Sequence, residues 1–264
     1  MIPRIITAIL GIPILVLIIG FGQPWHFSLM MILVTGVALW EYFTLVFPGQ
    51  RVAKISWVIA GILVFLGTLR SAASLYRSLA AILFIGAFSA YLSHGGKSSP
   101  SRRRLIWSLL GLLYLGYFLS YWVFLYEGPV GKEWVFFVLL VVMAGDTAGY
   151  FVGTRFGRRK IYPRISPNKT LEGTLGVLVG GVLAGLLGSR LLFFDPSLGE
   201  AFWLSLFLGV LGQGGDLFES WIKRSFAVKD SGALLPGHGG FLDRMDSLIF
   251  PTVLTAHYVK LFHS

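Results

Sequence analysis

The stretch LEGTLGVLVGGVLAGLLGSRLLFF, residues 171–194, decides the fold class. It carries one acid near its start, Glu172, and one base near its end, Arg190, with only apolar, small and hydroxyl residues otherwise. A helix that crosses a bilayer needs about 20 mainly apolar residues, and this run supplies them. Gly176/Gly180 and Gly181/Gly185 form GxxxG pairs. Such pairs let backbones approach closely, either inside one chain or across a dimer face.

Outward from this run, the whole chain has the same character. Of its 264 residues 55% are hydrophobic and 13% charged, with a mean hydropathy of +0.76. Soluble domains carry about 25% charged residues, so the solvent suited to this chain is a bilayer. Further runs occupy 5–22, 25–47, 55–69, 72–92, 105–124, 134–153, 201–222 and 241–262. The expected fold is all-α, a polytopic membrane bundle of about nine transmembrane helices. Residues 1–104 form N-terminal membrane helices and 105–264 the C-terminal helices that carry the motifs, in one continuous membrane unit without a soluble domain. The first run is too long and too poor in cleavage signals for a removed leader, so it is expected as a retained span. The absence of cysteine excludes disulfides, thiolate metal sites and cysteine nucleophiles.

Bases orient the spans. They gather beside the first run (Arg4) and after the second (Arg51, Lys54), fourth (Lys97, Arg102 to Arg104), sixth (Arg155 to Lys169) and eighth (Lys223, Arg224, Lys229). Connections after the fifth and seventh hold Glu127, Glu133, Asp195 and Glu200 instead. The positive-inside rule then predicts a cytoplasmic N-terminus and, with nine spans, an outside C-terminus.

Acids within the spans are informative because they are costly there and usually functional. Asp146 lies in "VVMAGDTAGYFVG", Asp216 and Glu219 in "GQGGDLFES", and Asp243 and Asp246 in "GFLDRMDS". The pairs Asp216/Glu219 and Asp243/Asp246 are spaced i, i+3, which predicts a shared helix face for each. Converging carboxylates repel without a cation, and hard oxygen ligands suit Mg²⁺. Phosphate-binding groups surround them. "RFGRRK" is basic, "SPNKT" offers Ser166, Asn168, Lys169 and Thr170 before a helix start, and "PGHGG" lets backbone approach a ligand closely. Acids for a metal and bases for phosphate point to phosphoryl or nucleotidyl transfer at a membrane surface. No Walker A or Rossmann fingerprint is present.

Ser220 to Ser247, "SWIKRSFAVKDSGALLPGHGGFLDRMDS", resembles the signature of the phosphatidate cytidylyltransferases, the CDP-diacylglycerol synthases. Ser220, Lys223, Arg224, Lys229, Asp230, Pro236, Gly237, His238, Gly239, Gly240, Asp243, Arg244 and Asp246 meet its fixed positions, and "GDTAGYFVG", "SPNKTLEG" and "GDLFES" look like family segments. The resemblance implies that CTP and phosphatidic acid give CDP-diacylglycerol and pyrophosphate, with Mg²⁺ (one or two cations) as cofactor. It also implies a multi-pass enzyme of the cytoplasmic membrane, commonly a homodimer; nucleic acid is not an expected partner. In that reading Asp216, Asp243 and Asp246 hold the metal, with Asp146 and Glu219 beside it. Lys169, Lys223, Arg224 and Lys229 neutralise phosphates, while His238, Gly237, Gly239 and Gly240 position them. Ser166, Asn168, Thr170, Ser220 and Asp230 complete the substrate site, and Arg244 orients the acids or binds phosphatidate. A CTP-dependent lipid or polyprenol kinase, or an ion or proton transporter, would share parts of this logic.

Overall fold

The computed structural model describes residues 2–69, 99–191, 196–232 and 239–263, and every regular element among them is helical. In order these are α1 (Ile2–Phe21), α2 (Pro24–Val46), α3 (Arg51–Thr68), α4 (Ser99–Gly111), α5 (Tyr121–Glu127), α6 (Gly131–Phe156), α7 (Leu171–Leu191), α8 (Leu198–Ser225) and α9 (Asp246–Phe262). A π turn, Leu112–Tyr117, and a 3₁₀ turn, Phe118–Ser120, join α4 to α5.

Among the described residues six segments are long and apolar enough to cross a membrane: α2, α3, the α4–α5 stretch from Arg103 to Glu127, α6, α7 and α8. This fits a multi-pass membrane protein. The run at 72–92 falls outside the described residues. The final run begins later than its hydropathy suggests. The chain first makes a 3₁₀ turn at Leu242–Arg244, so α9 starts at Asp246 and has 17 residues, at the short end of the range that crosses a bilayer. Asp243 and Asp246 therefore do not share a helix face.

Two compact units are present. One comprises Met1–Gly11, Gly22–Phe124 and Asp230–Leu242; the other comprises Ile12–Phe21, Leu125–Lys229 and Asp243–Ser264. In the first, α2 packs on α3 and on the π turn. Its core holds Phe27, Leu39, Tyr42, Phe43 and Phe65. The Tyr42 hydroxyl donates to the carbonyl of Trp107 at 2.7 Å, which removes the penalty of burying it. A Cβ at Gly116 would stand 2.9 Å from the Gly61 carbonyl oxygen, so glycine permits that contact between segments.

The second unit is built on α6 against α7. A Cβ at Gly176 would lie 2.8 Å from Val152 Cβ, one at Gly180 would collide with Ala148, and one at Gly181 would lie 3.3 Å from the Val141 carbonyl oxygen. Gly185 leaves room for Ser205 of α8. The GxxxG glycines thus serve packing within the chain. The opposite side of α7 presents Leu175, Val179, Leu183, Leu187 and Leu191, all exposed at four-residue spacing. An exposed apolar stripe of this kind suits contact with lipid or with another membrane helix.

Candidate active site

Asp146 comes from α6, Asp216 and Glu219 from α8, Asp243 from the 3₁₀ turn and Asp246 from the first position of α9, all within the second unit. Two glycines explain how α9 reaches α8. A Cβ at Gly212 would meet the Ser247 carbonyl oxygen at 3.2 Å, and one at Gly215 would collide with the Asp246 carbonyl. Their absence of side chain brings the start of α9 beside Asp216. Asp246 is buried there, and its carboxylate accepts from the Ser247 amide at 2.6 Å. The amide-rich N-terminus of α9 favours the negative charge.

A cavity of about 260 Å³ is lined by Asp146, Asp216, Lys223, Asp243, Arg244, Asp246 and Ser247. A larger one, about 560 Å³, has Asp146 and Asp216 in its wall as well. It continues over Tyr150, Lys160, Ser166, Asn168, Lys169, Thr170 and Gln213. Asp146 and Asp216 are thus common to both spaces.

Two lysines answer the acids. Lys223 donates to Asp243 at 2.6 Å and pairs with Glu219 one turn earlier on α8. Glu219 is fully buried. It lines neither cavity, and its partner is Lys223. Removing that partner would leave a buried charge uncompensated, a loss of about 3–5 kcal/mol. Lys169 pairs with Asp216 at 2.8 Å and donates to the Gln213 carbonyl at 3.3 Å.

The basic connection between α6 and α7 is folded tightly enough to aim Lys169. Leu171 donates to the Arg159 carbonyl at 2.8 Å and Ile161 to the Lys169 carbonyl at 3.3 Å. Glu172, in the first turn of α7, accepts from the amides of Arg158 at 2.9 Å and Arg159 at 3.2 Å. Thr170 caps the same helix, its hydroxyl accepting from Gly173 at 3.1 Å.

Of the residues expected from sequence, Asp146, Asp216, Asp243, Asp246, Lys223, Arg244, Ser166, Asn168, Lys169 and Thr170 line one or both cavities. Ser220 lies one turn from Asp216 and donates to it at 3.4 Å. Arg224 lines neither space. It donates to the carbonyls of Ile165 at 3.3 Å and Val228 at 3.0 Å, closing the end of α8. Lys229 and Asp230 are exposed and also line neither. Gly239 and Gly240 lie in the first unit. Gly239 has a φ of +80°, which favours glycine. Gly237 and His238 fall outside the described residues.

Ser247 and Gln213 join the site without having been expected, because neither is charged and only the packing of α9 on α8 exposes their role. Glu41, in the first unit and lining neither cavity, was also not singled out. It is an acid inside an apolar span and could have been flagged on that ground alone.

Four carboxylates around one small space are hard oxygen donors of the kind Mg²⁺ takes. Among the described residues no three acids form a ready chelating cluster. Mg²⁺ needs only one or two carboxylates and keeps its waters, so the donor set fits that ion.

A sequence profile of the cytidylyltransferase family matches residues 2–262. Several relatives bear the name phosphatidate cytidylyltransferase. That of Brucella suis biovar 1 is 41% identical over 157 residues, 59% of this chain and 58% of the relative. Those of Staphylococcus saprophyticus and Bacillus subtilis are 39% identical over 175 residues and 38% over 154. These matches cover 66% and 58% of this chain, and 65% and 57% of the relatives. The chain therefore spans less than two thirds of the length of the relatives it matches.

Proposed function

The chain belongs to the cytidylyltransferase family, and from that premise we propose that it makes CDP-diacylglycerol and pyrophosphate from CTP and phosphatidic acid. The observation that carries this reading is the pair of cavities with Asp146 and Asp216 common to their walls, one rich in acids and the other bordered by Lys160, Ser166, Asn168 and Lys169. Two polyanions must meet at such a site, and one group of charges facing both spaces suits that task.

A phosphate oxygen of phosphatidate attacks the α-phosphorus of CTP. One P–O bond forms there as the bond to the β-phosphate oxygen breaks, and that electron pair leaves with pyrophosphate. The nucleophile is already anionic, so positioning and charge neutralisation carry most of the rate. Asp146, Asp216, Asp243 and Asp246 would hold Mg²⁺, which when bound withdraws charge from the triphosphate. Lys223 and Lys169 already stand against these acids. They supply positive charge that a phosphate can recruit. Ser166 and Asn168 border the same space and offer neutral donors.

The remaining assignments extend the same reading: about nine spans, the motifs carried by residues 105–264, a homodimer, no nucleic-acid partner and the bacterial cytoplasmic membrane. The active site faces the cytoplasm, where CTP is available, and the clustering of bases in the connections beside α6 and α8 supports that orientation. Purified protein given labelled CTP and phosphatidate should form a CMP-containing lipid and pyrophosphate, dependent on Mg²⁺. Phosphorylated lipid with free CDP would identify a kinase instead. Ion flux without CTP would identify a transporter.

A further inference from the structure

Glu41 lies on α2, far in sequence from every motif discussed so far. It is buried, yet it is not idle. Its carboxylate accepts from the amide of Phe241 at 3.0 Å, the amide of Leu242 at 2.9 Å and the hydroxyl of Ser231 at 3.1 Å. All of these residues belong to the first unit. The carboxylate therefore ties together the two ends of the segment that bears the PGHGG sequence.

The surrounding backbone is shaped to this carboxylate. A Cβ at Gly232 would stand 2.5 Å from Glu41 Oε1, and one at Gly240 would stand 2.8 Å from Oε2 and collide with Ser231. No other side chain fits at either position without displacing the acid. Among the described residues no Lys or Arg forms an ion pair with Glu41. Its charge is spent on neutral donors, two of them backbone amides. Such charge-assisted bonds are short and strong, and they fix backbone rather than balance another charge. Leu242 directly precedes Asp243, the partner of Lys223.

We propose that Glu41 is a positioning residue for nucleotidyl transfer: by clamping Ser231, Phe241 and Leu242 it fixes the backbone that leads into Asp243. This rests on the function proposed above, but the clamp has its own readout. A carboxylate offers four lone-pair sites, whereas an amide offers one oxygen and presents donors where the second stood. Glu41→Gln therefore cannot serve both amides and the hydroxyl.

The test compares wild type, Glu41→Gln, Ser231→Ala and Tyr42→Phe. The last deletes a buried hydrogen bond one residue away on the same helix and serves as the structural control. Hydrogen exchange of the peptide spanning residues 239–246 reads the clamp directly, without substrate. Exchange should rise by roughly tenfold or more in Glu41→Gln, less in Ser231→Ala, and not in Tyr42→Phe. Formation of CMP-lipid should show kcat reduced by roughly ten- to a hundredfold in Glu41→Gln, with KM for CTP within about threefold. Unchanged exchange in Glu41→Gln overturns the clamp, whatever the activity. Altered exchange with wild-type kcat overturns the positioning role. Equal falls in kcat and melting temperature for Glu41→Gln and Tyr42→Phe also overturn it, as a merely structural effect. Where Glu41→Gln does not fold, Ser231→Ala decides: faster exchange with a kcat lowered about threefold or more supports the role, and wild-type values overturn it. Wild type that makes no CMP-lipid contradicts the proposed function and leaves the exchange result to judge the clamp.

Discussion

Helix α8 carries acids near both ends, and the two are used differently. Near its start, Glu200 is satisfied by local donors. It accepts from the Ser197 amide at 2.7 Å and the Tyr258 hydroxyl at 2.9 Å, while Ser197 caps the Glu200 amide in return. Sixteen residues later, about 24 Å along the axis, Asp216 faces two cavities with further acids around one of them. Its bonds come from Lys169 and Ser220. One carboxylate belongs to a closed capping box that asks for no ligand. The other belongs to a group of acids that line a shared cavity with Lys223 and Arg244, where a metal and phosphates could engage them. Burial alone does not separate the two; what separates them is whether neighbouring donors exhaust the carboxylate.

The contrast breaks most visibly at Asp246. Asp246→Asn should lower CMP-lipid formation by roughly a thousandfold or more at ordinary Mg²⁺, because on the proposed mechanism it removes a carboxylate that would hold the metal against the triphosphate. The variant should still purify as a folded membrane protein with a near-normal melting curve. Activity within tenfold of wild type would remove Asp246 from the machinery.

Lys169→Ala comes next. A drop of roughly ten- to a hundredfold in kcat/KM is expected from loss of a phosphate-binding charge. Arg103→Ala, at an exposed position on α4, should stay within about twofold. Equal small effects would reduce both residues to topological anchors.

Glu200→Gln should have the smallest catalytic effect. Its removal weakens the capping box and should lower stability by about 1 kcal/mol, read as a melting temperature lower by a few degrees, with kcat within about twofold. A tenfold loss of kcat without destabilisation would erase the distinction between the two ends of α8.

Sidedness sharpens the same comparison. In this cysteine-free chain Arg164→Cys, exposed in the basic connection, should react with an impermeant thiol reagent from the cytoplasmic face of sealed vesicles. Ser231 looks equally suitable in the sequence, but its side chain is buried against Glu41. Reaction of Arg164→Cys from the opposite face alone would invert the proposed topology.

Much of this protein is decided by composition and order along the chain. Apolar runs near bilayer length force helices, because every backbone polar group in hydrocarbon must be satisfied within its own segment. Rare acids in those runs are costly, so Asp146, Asp216, Glu219, Asp243 and Asp246 stand out by their positions along the chain alone, although Glu219 lines neither cavity. Bases around Lys169 and Lys223 mark the same end of the bundle. Which charges meet is another matter, because it depends on distances between helices that no local pattern encodes. Only the packing of α9 over Gly212 and Gly215 brings Asp246 beside Asp216. Only the paired segments around Arg159 and Leu171 aim Lys169 at α8. Tertiary structure also sends Arg224 to backbone carbonyls, ends the helical register before Asp243, and directs Glu41 to a segment about 200 residues away. Local sequence sets which groups must be satisfied, and the fold chooses their partners, since a charge buried by packing accepts whichever donors that packing brings within reach.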